Sequence, residues 1–222
     1  MTKNLLITFL LLFATGLYAQ SINFNRNNCI PHQVTMSIEK LDGLDVIRVI
    51  KDSSVKGADE PTFVKIDGVN FKNGTIEVKA LSRLLKTAPD YARGFIGIAF
   101  HINDSITKFE SFYIRPTNAR ADDQVRRNHS IQYCSYPDYK FDRLRKESPE
   151  RYESYADLEL NKWITLRIEV KDDHAKLFID NSRQASLIVN DLKHGATASG
   201  SIGLWVDIGT EGYFRDLKVI KL

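Results

Sequence analysis

The sequence predicts an all-β fold, an antiparallel two-sheet β-sandwich of the jelly-roll kind, and three observations predict it. From Val34 onward, apolar and polar residues alternate in short runs, the period of a strand buried on one face. The runs break at turn formers, among them Asp42-Gly43, Asp67-Gly68 and Asn73-Gly74, pairs suited to two-residue hairpins. No segment sustains the 3.6-residue period of a long amphipathic helix, and many short strands at regular spacing are the pattern of a sandwich.

The elements follow in order. "MTKNLLITFLLLFATGLYAQ" carries a lone Lys3, an uncharged run from Leu5 to Leu17, and Ala19 before Gln20. The run is roughly half of the ~20 residues a membrane span requires, so residues 1–19 are expected to be a cleaved signal peptide. Leu17 is larger than the residue usually found three positions before such a cut. No Cys follows the cut directly, so no lipid anchor is expected. Residues 20–222 then form one β-rich domain, exported to a periplasm or secreted, with no membrane span. "VTMSIEKLDGLDVIRVI" is two strands joined at Asp42-Gly43. "TFVKIDGVNFKNGTIEVKAL" repeats the pattern at Asp67-Gly68 and Asn73-Gly74. "RGFIGIAFHI", "KFESFYIRP", "HSIQYCS", "WITLRIEVKDDHAKLFID" and "GSIGLWVDIGTEGYFRDLKVIKL" supply the remaining strands. "DYKFDRLRKESPERYESYADLEL" is expected to be a long loop with at most one helical turn.

Charge and cysteine content narrow the function classes. The 222 residues hold 31 Lys+Arg against 28 Asp+Glu, a formal net charge of +3. So small an excess gives no reason to invoke nucleic acid or an anionic membrane as partner. Cys29 and Cys134 either pair in an oxidising compartment or stay as buried thiols; the sequence leaves both open. No CxxC or HExxH spacing is present, so no metal or cofactor is expected.

Side chains on a strand alternate between faces. Ile96, Ile98, Phe100 and Ile102 oppose Phe95, Gly97, Ala99 and His101. Phe112 and Ile114 point inward, with Tyr113 and Arg115 outward. Asn128, Gln132 and Cys134 oppose His129, Ile131 and Tyr133, and Leu204 and Val206 oppose Trp205 and Asp207. The outward set, with Gly97 and Ala99 leaving room, outlines a half-exposed groove.

Several segments are familiar: "F-x-N-G-T-I-E" from Phe71 to Glu77, "GFIGIAF", "FYIRPTN", "W-x-x-L-x-I-x-V" from Trp163 followed by "AKLFID", and "GSIGLW…GTEGYFRDLKV". From Val34 to Leu222 the chain resembles the concanavalin A-like lectin/glucanase superfamily, more narrowly bacterial laminin-G-like exported proteins and, distantly, the 3-keto-disaccharide hydrolase family. The resemblance implies two curved antiparallel sheets with a carbohydrate-facing concave side. This superfamily hosts binding modules, hydrolases and lyases on one sandwich, so fold alone does not choose among them.

Sugars present an apolar ring face rimmed by hydroxyls, which calls for aromatic platforms beside planar polar groups. Trp205, Tyr113 and Tyr213 are the platform candidates. Arg115, Asn118, Arg127, Asn128, Gln132, His101 and Asp207 are the polar candidates, with Arg115 equally able to pair with Glu110 or Asp122 on the surface. The expected function is a non-catalytic carbohydrate-binding sandwich. As alternatives, a glycoside or 3-keto-disaccharide hydrolase would draw on Asp207, Asp123 or Glu211, and a polysaccharide lyase on Arg127, Asn128, His129, Gln132 and Tyr133. A protein-interaction module of the laminin-G kind is a further possibility. The E-x-D-x-x-E motif of the glucanases on this fold is absent, its nearest likeness being Glu153, Asp157 and Glu159 in "ESYADLE". The lyase motifs are absent too. A structural calcium held by scattered loop carboxylates leaves no sequence signature, and nothing in the sequence fixes an oligomeric state.

Overall fold

A computed structural model describes residues 19–222; apart from Ala19, the expected leader lies outside the described residues. The chain begins with β1 (Gln20–Ile22) and β2 (Cys29–His32), then β3 (Val34–Leu41) and β4 (Leu44–Lys51). Asp42 and Gly43 both adopt positive φ, 51° and 78°, and join β3 to β4 as the expected two-residue hairpin, with Leu41 opposite Leu44. Next come β5 (Phe63–Phe71), β6 (Gly74–Leu84), β7 (Ile96–Ile102) and β8 (Phe109–Ile114). The segment between β8 and β9 (Ile131–Tyr136) holds two short helices, α1 (Pro116–Ala119) and α2 (Gln124–Asn128). The expected long loop after β9 contains α3 (Phe141–Glu147) and β10 (Glu153–Ser154). β11 (Trp163–Lys171) and β12 (His174–Ile179) form a hairpin, and β13 (Leu187–Val189), β14 (Gly200–Val206) and β15 (Thr210–Lys221) complete the chain.

Two antiparallel sheets result. The first runs β13-β12-β11-β6-β15-β4-β3, with β1 also on β15, and the second runs β10-β9-β8-β7-β14-β5-β2. The core between them is built from the residues that parity assigns inward. Ile96, Ile98, Phe100, Phe112, Ile114, Leu204 and Val206 from the second sheet join Ile76, Val78, Leu166, Ile168 and Phe214 from the first. All are 1% exposed or less.

Two expectations are corrected and one open alternative is decided. Asp67-Gly68 is no hairpin: it lies inside β5, where the register against β14 shifts between Gly200↔Phe71 and Ile202↔Ile66, leaving residues 67–70 as a bulge from which Val69 still reaches the core. Asn73-Gly74 is no hairpin either, because β5 and β6 belong to different sheets. Gly74 is needed there for another reason: at φ 133° a Cβ would sit 1.9 Å from Ile220 O. Cys29 and Cys134 are free and buried. β2 and β9 stand five strands apart in the second sheet, about 24 Å at the usual strand spacing. The two thiols also face opposite sides of that sheet, Cys29 in the inter-sheet core and Cys134 on the outer face. A disulfide spans at most ~7 Å between Cα atoms.

Candidate functional site

The outer face of the second sheet carries one lateral row of residues in register. Glu153 pairs with Gln132, Gln132 with Tyr113, Tyr113 with Gly97, Gly97 with Trp205, and Trp205 with Phe63. Parity therefore groups Tyr113, Gln132 and Trp205 as the sequence suggests. A Cβ on Gly97 would meet Phe112 O at 2.2 Å and Tyr113 Cβ at 2.5 Å. Without one, the Tyr113 and Trp205 rings meet across it, centroids 4.7 Å apart.

This face is not the expected open groove. Trp205 is 0% exposed and Tyr113 1%, packed with Phe63, Ala99, Phe109 and Cys134 in a second apolar cluster. The cover is the segment 52–62, together with the start of α3. Trp205 Nε1 donates to Glu60 O at 2.9 Å, and Thr62 Oγ1 donates to Val206 O at 2.6 Å. Lys51 Nζ pairs with Asp207 and donates to Gly57 O at 2.7 Å. Asp59 N donates to Asp207 Oδ2 at 3.1 Å, and Phe141 N donates to Asp59 Oδ2 at 2.7 Å. A row of large aromatic rings left in water would be a costly apolar patch, and the cover removes it. Trp205 and Tyr113 therefore cannot act as exposed sugar platforms.

Beside the row at Tyr113, where β7 begins and β8 ends, a cavity of about 510 Å³ opens to solvent. Its floor is Tyr113, Arg115 and Phe95; its walls come from residues 57–59, from Tyr91 and Arg93, from Asn118, Arg126 and His129, and from Phe141 and Arg145 of α3. Tyr91 is 60% exposed, while Arg93, Phe95, Phe141 and Arg145 are half-buried.

Arg115 organises the floor. Its Nη1 donates to His129 O and Glu153 Oε1, both at 3.1 Å, and its Nη2 donates to Tyr113 Oη at 2.9 Å and Gln132 Oε1 at 3.1 Å. Its guanidinium also lies 5.0 Å from the Tyr113 ring centroid and 5.5 Å from that of Phe141. The partner is thus Glu153, and neither Glu110 nor Asp122. Glu110 lies inside the sandwich, 0% exposed, bonded to Tyr133 Oη and to His194 N. Burial alone would raise the Glu153 pKa, but the hydrogen bond from Arg145 and the charges of Arg115, Arg145 and His129 outweigh it and hold the carboxyl below its ordinary range. For Asp59 the balance is reversed. It is 1% exposed, and burial pushes its pKa up to about 6 against the opposing hydrogen bond from Phe141 N.

The other sequence candidates disperse. Asn118 lines the cavity, Nδ2 donating to His129 O at 3.1 Å while Oδ1 has no hydrogen-bond partner. Asp207 lines it as well, 2% exposed and tied to Lys51. Gln132 is fully buried beneath Arg115, with Nε2 donating to Tyr133 O at 2.7 Å. Arg127 leans over the Tyr155 ring, 5.3 Å from its centroid, and its neighbour Arg126 reaches the cavity instead. Asn128 is exposed on α2, accepting from Gln124 Nε2 at 2.8 Å.

His101 is displaced by a bulge. β7 carries one extra residue against β14 between Ser201↔Ile102 and Gly203↔Ala99, and His101 takes φ 53°. This swaps the facing of the last two residues: Ile102 joins the outer cluster, while His101 stacks on Phe71 and its Nε2 donates to Lys72 O, 2.8 Å away. Burial lowers its pKa to about 4.

The three carboxylates considered for catalysis lie apart. Asp123 caps α2, accepting from Arg126 N at 2.9 Å, and Glu211 pairs with Arg48 at 2.6 Å on the first sheet. Asp157 and Glu159 pair with Arg120, away from buried Glu153. Tyr213 sits on the outer face of the first sheet with Val46 and Leu81. Tyr133 is sealed in the core, so the lyase set does not assemble.

Asp59, Tyr91, Arg93, Phe95, Arg126, Phe141 and Arg145 also line the cavity and were not among the candidates, while His129, named only for a lyase, lines it as well. Phe95 had a usable signal, since parity puts it on the outer face with Gly97. Among the described residues no group of three or more His, Cys, Asp or Glu is placed to hold a metal ion, and no helix is long and apolar enough to cross a membrane.

Two stacked antiparallel sheets with a loop-walled hollow beside one sheet define a concanavalin A-like sandwich. Solved structures with this architecture include the carbohydrate binding module CBM66 from Bacillus subtilis, at 10% identity and TM-score 0.50, covering 85% of this chain and 96% of that one. Two putative glycosyl hydrolases from Parabacteroides distasonis align at 12% identity and TM-score 0.52, covering 88% and 89%, and at 13% identity and TM-score 0.51, covering 92% and 93%. At such identities the likeness is one of fold. No protein-family model and no curated protein matches the sequence.

Proposed function

We propose that this protein is an exported, non-catalytic carbohydrate-binding sandwich whose ligand enters the hollow between Tyr91, Phe95, Asn118 and Arg126. The observation that carries the reading is the composition of that hollow. Exposed Tyr91 and half-buried Phe95 and Phe141 offer apolar ring faces, and three solvent-reaching guanidiniums and an amide supply fixed hydrogen-bond directions. Both carboxylates that line it are committed to structure, Asp207 to Lys51 and Asp59 to Phe141 N, which favours binding over catalysis. The carbohydrate-binding module among the structures of like fold is consistent with the reading.

A glycan array followed by calorimetry on wild type, Phe95→Ala and Tyr91→Ala tests it. The proposal expects binding to at least one glycan and a loss of about tenfold in affinity for Phe95→Ala. Glycan binding unchanged in both variants would move the site elsewhere.

One observation favours a second reading, a glycoside or 3-keto-disaccharide hydrolase. Asp59, its pKa raised to about 6, adjoins ion-paired Asp207 in one cavity, and two neighbouring carboxyls are what glycosidic cleavage requires. Turnover of an oligosaccharide by wild type that Asp59→Asn abolishes would establish the hydrolase over the binding protein.

A further inference from the structure

Four arginines converge on the hollow: Arg93, Arg115, Arg126 and Arg145. Two of them share one carboxylate, since Arg115 Nη1 lies 3.1 Å from Glu153 Oε1 and Arg145 Nε donates to Glu153 Oε2 at 2.9 Å. The other two have no ion-pair partner among the described residues. Arg93 Nη1 donates only to backbone carbonyls, Asp90 O at 2.6 Å and Ala92 O at 2.9 Å. Burial lowers the pKa of Arg93, the charges of Arg126 and Arg115 lower it further, and the charge of Asp90 offsets part of this.

The lining carboxylates do not compensate. Asp207 is offset by Lys51, and Asp59 is buried in the wall, held by Phe141 N, where its charge acts on Arg115. Like charges gathered at the mouth of a partly desolvated cavity destabilise the empty protein, and an anion entering between them relieves the repulsion with charge-assisted, bidentate hydrogen bonds. We propose that the glycan bound here is acidic, and that Arg93 and Arg126 clasp its anionic substituent, a uronate carboxylate or a sulfate ester. This rests on the carbohydrate-binding reading and names the substrate class of the same site.

The test is calorimetry on matched pairs of oligosaccharides: uronate oligomers beside their methyl esters, and sulfated oligomers beside their desulfated forms. Each pair is run at low and at raised sodium chloride, with wild type, Arg93→Gln and Arg126→Gln. Both side chains reach solvent, so the variants should keep the wild-type melting temperature within a few degrees. The expected result is an acidic probe bound at least about tenfold tighter than its neutral partner, weakened by salt, with that gap narrowed several-fold by either substitution. Preference for the uronate pair assigns a carboxylate, and preference for the sulfated pair a sulfate. Equal binding of acidic and neutral partners, or an acidic preference that survives both substitutions, overturns the anionic clasp and leaves the carbohydrate reading standing. Absence of binding by any probe here and on the array removes both.

Discussion

The pair that holds the site together is Arg115 with Glu153, and each is less than 6% exposed at its side chain. Removing one member of a buried pair strands the other charge, so Glu153→Gln is expected to lower stability by about 3–5 kcal/mol. Urea unfolding measures this, and a cost below ~1 kcal/mol would mean that Arg115 is supported by its carbonyl and hydroxyl partners alone. Asp59 makes a prediction of opposite sense. Its folded pKa, about 6, lies above the ordinary aspartate value of 3.8. The stability it contributes is therefore present below about pH 3.8 and is lost as the pH rises to about 6. Asp59→Asn removes that dependence, so the variant should be more stable than wild type at pH 7 and lose the advantage by pH 4, read as melting temperature against pH. Neither residue was legible as a site residue. Glu153 looked like one of three carboxylates on a solvated edge, because the row that pairs it with Gln132 joins residues 21 positions apart, and Asp59 sits in a loop without periodicity. That Arg115, Tyr113, Asn118 and Asp207 lie near one another was legible, because strand parity and strand ends announce themselves locally.

At the level of elements, alternation assigned the inner faces of β7, β8 and β14 correctly until a single inserted residue interrupted it. The bulge at His101 reverses the facing of the last residues of β7, and residues 67–70 turn what looked like a hairpin into a bulge within β5. Such insertions depend on the partner strand, which the local pattern does not contain. Gly97 is the position where strand packing is least tolerant. Gly97→Ala places a methyl group 2.2 Å from Phe112 O, and is expected to cost at least ~2 kcal/mol by denaturant unfolding as β7 and β8 shift apart. The cover over Trp205 escaped the sequence for a related reason: its ties, Lys51 to Asp207 and Trp205 to Glu60, cross about 150 positions of chain. Lys51→Met should loosen that cover, and acrylamide should then quench Trp205 fluorescence more than in wild type. Equal quenching would show that apolar packing alone closes the face.

For the whole molecule, the sandwich was legible because period-two alternation and the Asp42-Gly43 hairpin are strong local signals, whereas the partition of strands into sheets was not. That partition separates the cysteines. A reductant should leave the melting temperature unchanged, and two thiols per chain should react with a thiol reagent only on unfolding; a reductant-sensitive transition would contradict this. The partition also seals the aromatic row and leaves the arginine-rimmed hollow open beside it, the proposed point of ligand entry. Hydrogen–deuterium exchange with and without a glycan identified on the array tests this most directly. The account predicts slowed exchange confined to residues 90–95, 118–129 and 141–145. Protection instead around Glu169, Asp172 and His174, which line a separate cavity of about 560 Å³ on the first sheet, would contradict it.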